Sequence, residues 1–408
     1  LKKTGLKNKF EIETEAITDS TTGMFSPYYH IFTPTCGGNF EKQWQSCFDS
    51  FQLFLSQNSN QKAFVCRVFV AAEKEQEFQQ RAKQIKHTFS GIEIPLGVLS
   101  ESPEKPDLVM IEAGFADSAN IQVKYGQVES VKFCTLLNSG YTEYWFAGIE
   151  GNAAGSNIAD SAKNAFRQLL NTFLQLGIGF NQIVRQWNYV EQIFGFEQIE
   201  LQQRQNYQLF NEVRGTYYSR YRTLPTFPAA TGIGVAYNGV TIDCIAVSGD
   251  ENLKIIPISN PIQLNSYKYG QTVLKGEPLK HKAGNQAPQF ERAKLMTDGH
   301  NSRVFISGTA SIVGQETIGL NDVEKQTHVT IDNIELLTSE TNLKSHYPEL
   351  TVIPDKYAYV RIYVKNGDDI PAVKIICRNH FGKVPMIFVK ADICRADLLV
   401  EIEAEKIS

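Results

Sequence analysis

The chain has 408 residues, 42 % of them hydrophobic and 21 % charged, a globular composition with room for two or three modules. Its formal net charge of -4 supplies no basic field, so nucleic acid and anionic membranes are not expected partners, while small anions remain open. Cys36, Cys47, Cys66, Cys134, Cys244, Cys377 and Cys394 are odd in number, scattered and without CxxC spacing. Reduced thiols, a cytoplasmic setting and no metal site are the expectation.

The chain opens on "LKKTGLKNKFEIETEA", basic residues with no apolar stretch behind them, and residues 1–24 are taken as a leader or tail without assigned function. No run approaches the ~18 apolar residues of a membrane span. "FEKQWQSCFDSFQLFL" from Phe40 has apolar residues at helical spacing. It is followed by an alternating strand ("AFVCRVFVA"), a helix ("EKEQEFQQRAKQIKHTF") and a closing strand at Asp107 ("DLVMIEA").

Helices are expected from Asp160 ("DSAKNAFRQLLNTFLQLG") and from Glu200 ("ELQQRQNYQLFNEV"), around "IVRQWNYVEQI". "RGTYYSRYRTLPTFPAATGIG" then has the glycine, proline and small residues of a shaped loop. Arg214, Arg220 and Arg222 with Tyr217, Tyr218 and Tyr221 form the densest Arg/Tyr cluster in the chain. A guanidinium grips a carboxylate with two parallel hydrogen bonds, although an arginine here can equally cap a helix C-terminus.

"VFISGTASIVGQETIG" from Val304 is strand-like but ends in small and hydroxylated residues, which implies that backbone or ligand comes close there. Next, "VEKQTHVTIDNIELLT" from Val323 matches the stretch from Phe40: Glu324-Lys325-Gln326 aligns with Glu41-Lys42-Gln43, and Asp332, Ile334 and Leu336 with Asp49, Phe51 and Leu53. The following order also agrees: a strand ("YAYVRIYVK"), a helix ("DIPAVKIICRNHF") and a closing strand at Asp397 ("DLLVEIEA"). A duplicated module follows, with boundaries at 25–231 and 232–408. Aligning Ile111-Glu112-Ala113 with Ile402-Glu403-Ala404 sets Met110 against Glu401, so the second copy alone has a carboxylate there.

In "LLVEIEAE" alternation puts Leu398, Val400, Ile402 and Ala404 on one face and Leu399, Glu401 and Glu403 on the other. Such a carboxylate is ordinarily solvated, but in a cleft shared with another module its pKa rises and it becomes a usable general acid. Cys394 lies one turn earlier, at a spacing that allows it to approach Glu401. No phosphate loop, HExxH, GxSxG or dinucleotide fingerprint is present.

"VFISGTASIVGQETIGLNDVEKQTHVTIDNIELL" and "KADICRADLLVEIEAE", with "IVRQWNYVEQI", "NYQLFNEVR" and "RYRTLPTFPAATGIG", resemble the chorismatase family from about residue 25 onward. The resemblance implies an α+β fold of mixed sheets, with two Rid/YjgF-like (chorismate-mutase-like) modules in one chain, the N-terminal one degenerate. It implies cofactor-free loss of the enolpyruvyl group of chorismate as pyruvate, giving 3-hydroxybenzoate. By the same resemblance Glu401 is the proton donor, Cys394 assists aromatisation, and Arg222, Tyr221, Arg214, Gly308, Thr309 and Ala310 bind the substrate. Hydrolysis to a dihydroxycyclohexadiene carboxylate, formation of 4-hydroxybenzoate, or a non-catalytic module binding a shikimate-pathway acid are the alternatives. Simple Rid deaminases usually have an arginine where this chain has Met386, which disfavours imine hydrolysis. A monomer fits a duplicated module, since the second copy supplies neighbours that single modules obtain by trimerising.

Overall fold

The computed structural model describes residues 28–152, 156–199, 201–275, 277–278 and 284–408; the leader at 1–24 lies outside them. The first stretch contains β1 (Tyr28–Phe32), α1 (Phe40–Gln57), β2 (Gln61–Val70), α2 (Glu75–Thr88), β3 (Leu96–Leu99), β4 (Ser102–Pro103) and β5 (Val109–Asp117). The middle contains β6 (Gln122–Val128), β7 (Val131–Leu137), β8 (Tyr141–Glu150), α3 (Ile158–Leu176), β9 (Ile183–Glu191), β10 (Phe196–Ile199), β11 (Gln202–Gln205), α4 (Asn206–Tyr221), β12 (Ala229–Val235) and β13 (Val240–Gly249). The last contains β14 (Lys254–Ile258), β15 (Ala293–Thr297), β16 (Ser302–Ala310), β17 (Ile312–Val313), β18 (Glu316–Thr317), α5 (Val323–Thr338), α6 (Glu340–His346), β19 (Lys356–Val364), α7 (Ile370–Phe381), β20 (Met386–Lys390), β21 (Asp392–Ile393) and β22 (Val400–Ile407).

One topology occurs three times. The neighbour orders β1-β5-β2-β3, β8-β13-β9-β12 and β16-β22-β19-β20 are the same pattern, each with a helix before and after its third strand and one parallel pair across the second helix. The expected pair of modules is therefore three units, and the segment read as a connector is the second of them. It carries no Glu-Lys-Gln stretch, so its sequence does not show the repeat; α3 begins instead on Asn157, whose side chain accepts the Asp160 N–H. The helix expected from Glu200 starts at Asn206, after the β10-β11 hairpin. The expected loop from Arg214 to Gly234 is the second half of α4, a short connection and most of β12.

The first and third units do share the register read from sequence. Arg67 faces Glu112 across β2-β5 as Arg361 faces Glu403 across β19-β22, which sets Met110 and Glu401 in equivalent places. The repeated glutamine has a physical reason. Gln43 clamps the start of β5 by donating to the Pro106 carbonyl and accepting from Leu108 N–H, and Gln326 does the same with Asp397 and Leu399 before β22. Leu53, by contrast, is exposed and takes no part in the core.

Helices cover the outer face of each sheet, and the inner faces meet in one core that includes Phe69, Trp145, Trp187, Tyr189, Tyr359 and Tyr363. The units clasp one another: β21 of the third joins the sheet of the second beside β12, and β4 of the first joins the sheet of the third beside β20. At the centre lies a fully buried charge network, Arg67 with Glu112 and Asp243, Arg361 with Glu112 and Glu403, and Arg185 with Glu403. Ions so far from water persist only when each is paired, so this network fixes how the three units meet. No described helix is long and apolar enough to cross a membrane.

Candidate active site

The small residues at the end of β16 lie where the third unit meets β12 of the second. Ser307 Oγ accepts the Ala230 N–H at 2.8 Å and donates to the Glu291 carbonyl at 2.6 Å, and Gly308 N–H donates to Thr231 Oγ1 at 3.0 Å. Opposite Glu403 the β16-β22 ladder breaks register between Ile306 and Thr309, a bulge that turns Gly308 toward the neighbouring unit. A Cβ placed on Gly308 would stand 1.9 Å from Glu401 Oε1, so the backbone there is the floor on which that carboxyl rests. Ala310 pairs with Glu401 and shares its face, whereas Thr309 pairs with Ile402 and points to the helix-covered core. Thr309 is thus separated from the site.

Glu401 is 3 % exposed, and no hydrogen bond to its carboxyl occurs among the described residues. Burial, reinforced by the Glu403 anion, pushes the carboxyl up to about 8, with Arg185 and Arg292 opposing the rise. Glu403 is the reverse case. Burial alone would raise it, but Arg361 and Arg185, aided by Thr231 and Tyr359, hold it at about 2. Adjacent carboxyls on one strand face therefore divide into a proton carrier and a permanent anion. Burial and the nearby Glu401 push the Cys394 thiol up to about 12, so it stands beside the acid as a neutral hydrogen-bonding group. Tyr207, from the start of α4, packs over Gly232 of β12 and is coupled to Cys394 and Glu401.

The Arg/Tyr cluster divides. Arg214 lies near Tyr207: it acts electrostatically on that ring, donates to Asn211 Oδ1 at 2.6 Å, and keeps a buried Nε–H without an acceptor among the described residues. Arg222 is engaged elsewhere: its guanidinium is consumed by the backbone carbonyls of Thr226, Phe180 and Ile183. Tyr221 packs on Phe180 and Tyr217 on the far side of α4. Both were expected to hold substrate; here Arg222 ties the chain after α4 to the backbone at Phe180 and Ile183, and Tyr221 packs among aromatic rings.

Two arginines not singled out in the sequence lie near Cys394. Arg292, 3 % exposed, donates to the Leu264 carbonyl at 2.5 Å and to Tyr269 OH at 2.7 Å, and leaves a buried Nε–H unpaired. Arg395 donates to the Gln315 carbonyl at 2.6 Å, lies 4.8 Å from the centre of the Tyr269 ring, and leaves a buried Nη2 unpaired. Both act electrostatically on Cys394. Arg185 and Arg292 act electrostatically on Glu401, and Arg292 and Arg395 on its neighbour Cys394, so a small molecule bearing carboxylates would find guanidinium donors beside the acid. Met386 faces the helix-side core of the third unit, away from this site.

Comparison with known proteins finds similar sequences and a similar fold. Residues 121–246, most of the second unit, match the family described as "Chorismatase FkbO/Hyg5-like, N-terminal". A 3-hydroxybenzoate synthase of Streptomyces hygroscopicus is 32 % identical over 55 % of this chain and 63 % of its own length. A chorismatase of the same organism is 27 % identical over 64 % of this chain and 72 % of its own. The chain thus spans less than two thirds of the first relative. A chorismatase crystal structure superposes with a TM-score of 0.67 at 21 % identity, covering 93 % of this chain and 98 % of the other. Across its middle the chain is similar in sequence to chorismatases, and over nearly its whole length it is similar in fold to a chorismatase.

Proposed function

We propose that the protein is a chorismatase that releases the enolpyruvyl group of chorismate as pyruvate and leaves 3-hydroxybenzoate. The observation that carries this reading is a buried carboxyl raised to about 8, Glu401, with Arg185 and Arg292 acting on it and a buried Nε–H of Arg292 unpaired among the described residues. Chorismate brings two carboxylates to such donors. Glu401 delivers its proton to the enol-ether methylene, which makes an oxocarbenium ion. The ring hydroxyl next to the ether carbon then displaces pyruvate to form an epoxide-like intermediate. Loss of a ring proton as this opens yields the aromatic product and restores the acid. The atoms of chorismate are conserved in hydroxybenzoate plus pyruvate, so the reaction consumes no water and no redox partner.

In this reading Cys394, as a neutral thiol, guides the opening of the epoxide by hydrogen bonding. A half-buried thiol one turn from the acid fits aromatisation better than hydrolysis, and the name of the 32 % identical relative points the same way. Each of the three units is in this view one Rid/YjgF-like module, with the site where the third meets the second. The test is to incubate the protein with chorismate, quantify pyruvate with a coupled dehydrogenase, and identify the ring product by chromatography and mass, with Glu401→Gln in parallel. Pyruvate with 3-hydroxybenzoate, lost in the variant, is expected. A diene product would remove Cys394 from its role, and no pyruvate above the spontaneous rate would overturn the reading.

A further inference from the structure

We propose that Glu403 is a positioning residue: an anion fixed from two units, it keeps the proton on Glu401 and, through Thr231, sets the Gly308 backbone against which Glu401 lies. The inference rests on the reading of Glu401 as the acid. Its geometry is independent of any substrate. Glu403 Oε1 accepts from Trp187 Nε1 at 2.7 Å and Tyr359 OH at 2.5 Å and is paired with Arg361 Nη1 at 2.9 Å. Oε2 accepts from Arg185 Nη2 at 2.7 Å and from the Thr231 hydroxyl. That hydroxyl also accepts from Arg185 Nη2 at 2.7 Å and from Gly308 N–H at 3.0 Å. The chain Glu403–Thr231–Gly308 therefore runs from the centre of the molecule to the floor of the site.

Among the described residues, the ionisable groups that act on the acid or pair with it are these. Toward Glu401 face Glu403 on its own strand, Arg185 on β9, Arg292 before β15, Cys394 after β21, Tyr207 on α4 and, paired across the ladder, Tyr363 on β19. Around Glu403 stand Arg185, Tyr359, Arg361 and Tyr363, with Glu101 further off. Two cations act on Glu401, and each lowers the cost of ionising it. Among these neighbours Glu403 is the anion that opposes them. The equivalent acid of the first unit, Glu112, shares Arg67 and Arg361 in the same way but has Met110 two residues before it, so its charge serves assembly alone.

The test is the pH dependence of kcat/KM in Glu403→Gln and Glu403→Asp. Infrared titration runs alongside, following the carboxylic-acid band identified as Glu401 by its absence from Glu401→Gln. Removing the anion should move the alkaline limb and the infrared transition down by about one pH unit or more, whereas aspartate should keep both near the wild-type position. Lower activity or stability with both transitions unmoved in Glu403→Gln would overturn the proposal and leave a structural role only. Should Glu403→Gln fail to fold, Arg185→Gln serves: it removes a cation facing Glu401, so both transitions should move up, and unmoved transitions would overturn the proposal. If the wild type releases no pyruvate, the reaction reading fails by itself, and the infrared transition still decides the role of Glu403.

Discussion

The carboxyl of Glu401 rests on the backbone of Gly308 so closely that a single added methyl would stand 1.9 Å from its Oε1 and 2.9 Å from its Cδ. The two nearest obstructed atoms are the free end of a flexible side chain and the third is the Thr231 methyl at 3.1 Å, so alanine at 308 displaces the acid and asks Thr231 to give by a few tenths of an ångström. Gly308→Ala is expected to fold with a melting temperature close to wild type. Turnover of chorismate should fall at least about tenfold, near 1.4 kcal/mol of lost transition-state stabilisation. Full activity in this variant would show that the acid does not work from the position described.

The same relationship shows what could be read from sequence. The strand end at Gly308 and the contrast of Met110 with Glu401 were visible because small residues and a lone carboxylate break a simple alternation, and both depend on neighbours in sequence. The face of Glu401 was legible too, but its burial was not, since it depends on a strand of the second unit arriving at Ser307 and Gly308. That second unit lacks the local repeat, so it read as a connector. Arg292 and Arg395 were missed for a related reason: each stands alone in its segment, whereas Arg222 drew notice by its cluster and is spent on carbonyls. Arg292, in "FERAK" directly before β15, has no basic or aromatic cluster beside it to mark it.

The raised carboxyl sets a pH limit on turnover. A general acid works while protonated, and Glu401 loses its proton near pH 8, so kcat/KM should fall tenfold per pH unit above about 8. Below that pH the acid stays neutral and keeps its proton, and its ionisation places no acid limb on the profile. Measuring initial pyruvate release across this range in wild type checks the sign. A profile that instead rises with pH would require Glu401 to act as a base. Glu401→Gln should lose at least about a hundredfold at every pH.

Arg292 and Arg222 separate binding from stability. Arg292→Lys retains the charge but not the planar fork, and is expected to raise KM for chorismate about tenfold or more with a smaller change in kcat. Arg222→Ala leaves the carbonyls of Thr226, Phe180 and Ile183 without their donor, and should cost about 2–4 kcal/mol of folding stability. The folded fraction of that variant should keep the wild-type KM. Denaturation and steady-state kinetics on both variants test the assignment, and a raised KM in Arg222→Ala would return that residue to the site.

Glu101 makes a prediction about stability alone. It is 1 % exposed, and neither carboxyl oxygen has a hydrogen-bond partner among the described residues. Burial holds its carboxyl well above the ordinary carboxylate range, with Glu403, Glu112 and Asp243 adding to the rise and Arg361 opposing it. The folded protein therefore keeps a proton here that the unfolded chain releases above about pH 4.3. Where the unfolded state binds fewer protons, stability falls as pH rises, by at most about 1.4 kcal/mol per unit for one group. Glu101→Gln has no proton to keep, so its stability relative to wild type should increase steadily from pH 5 to pH 8, with the two converging in acid. Urea unfolding of both proteins across that range would show it, and parallel pH profiles would mean that Glu101 ionises inside the fold and finds its partner there.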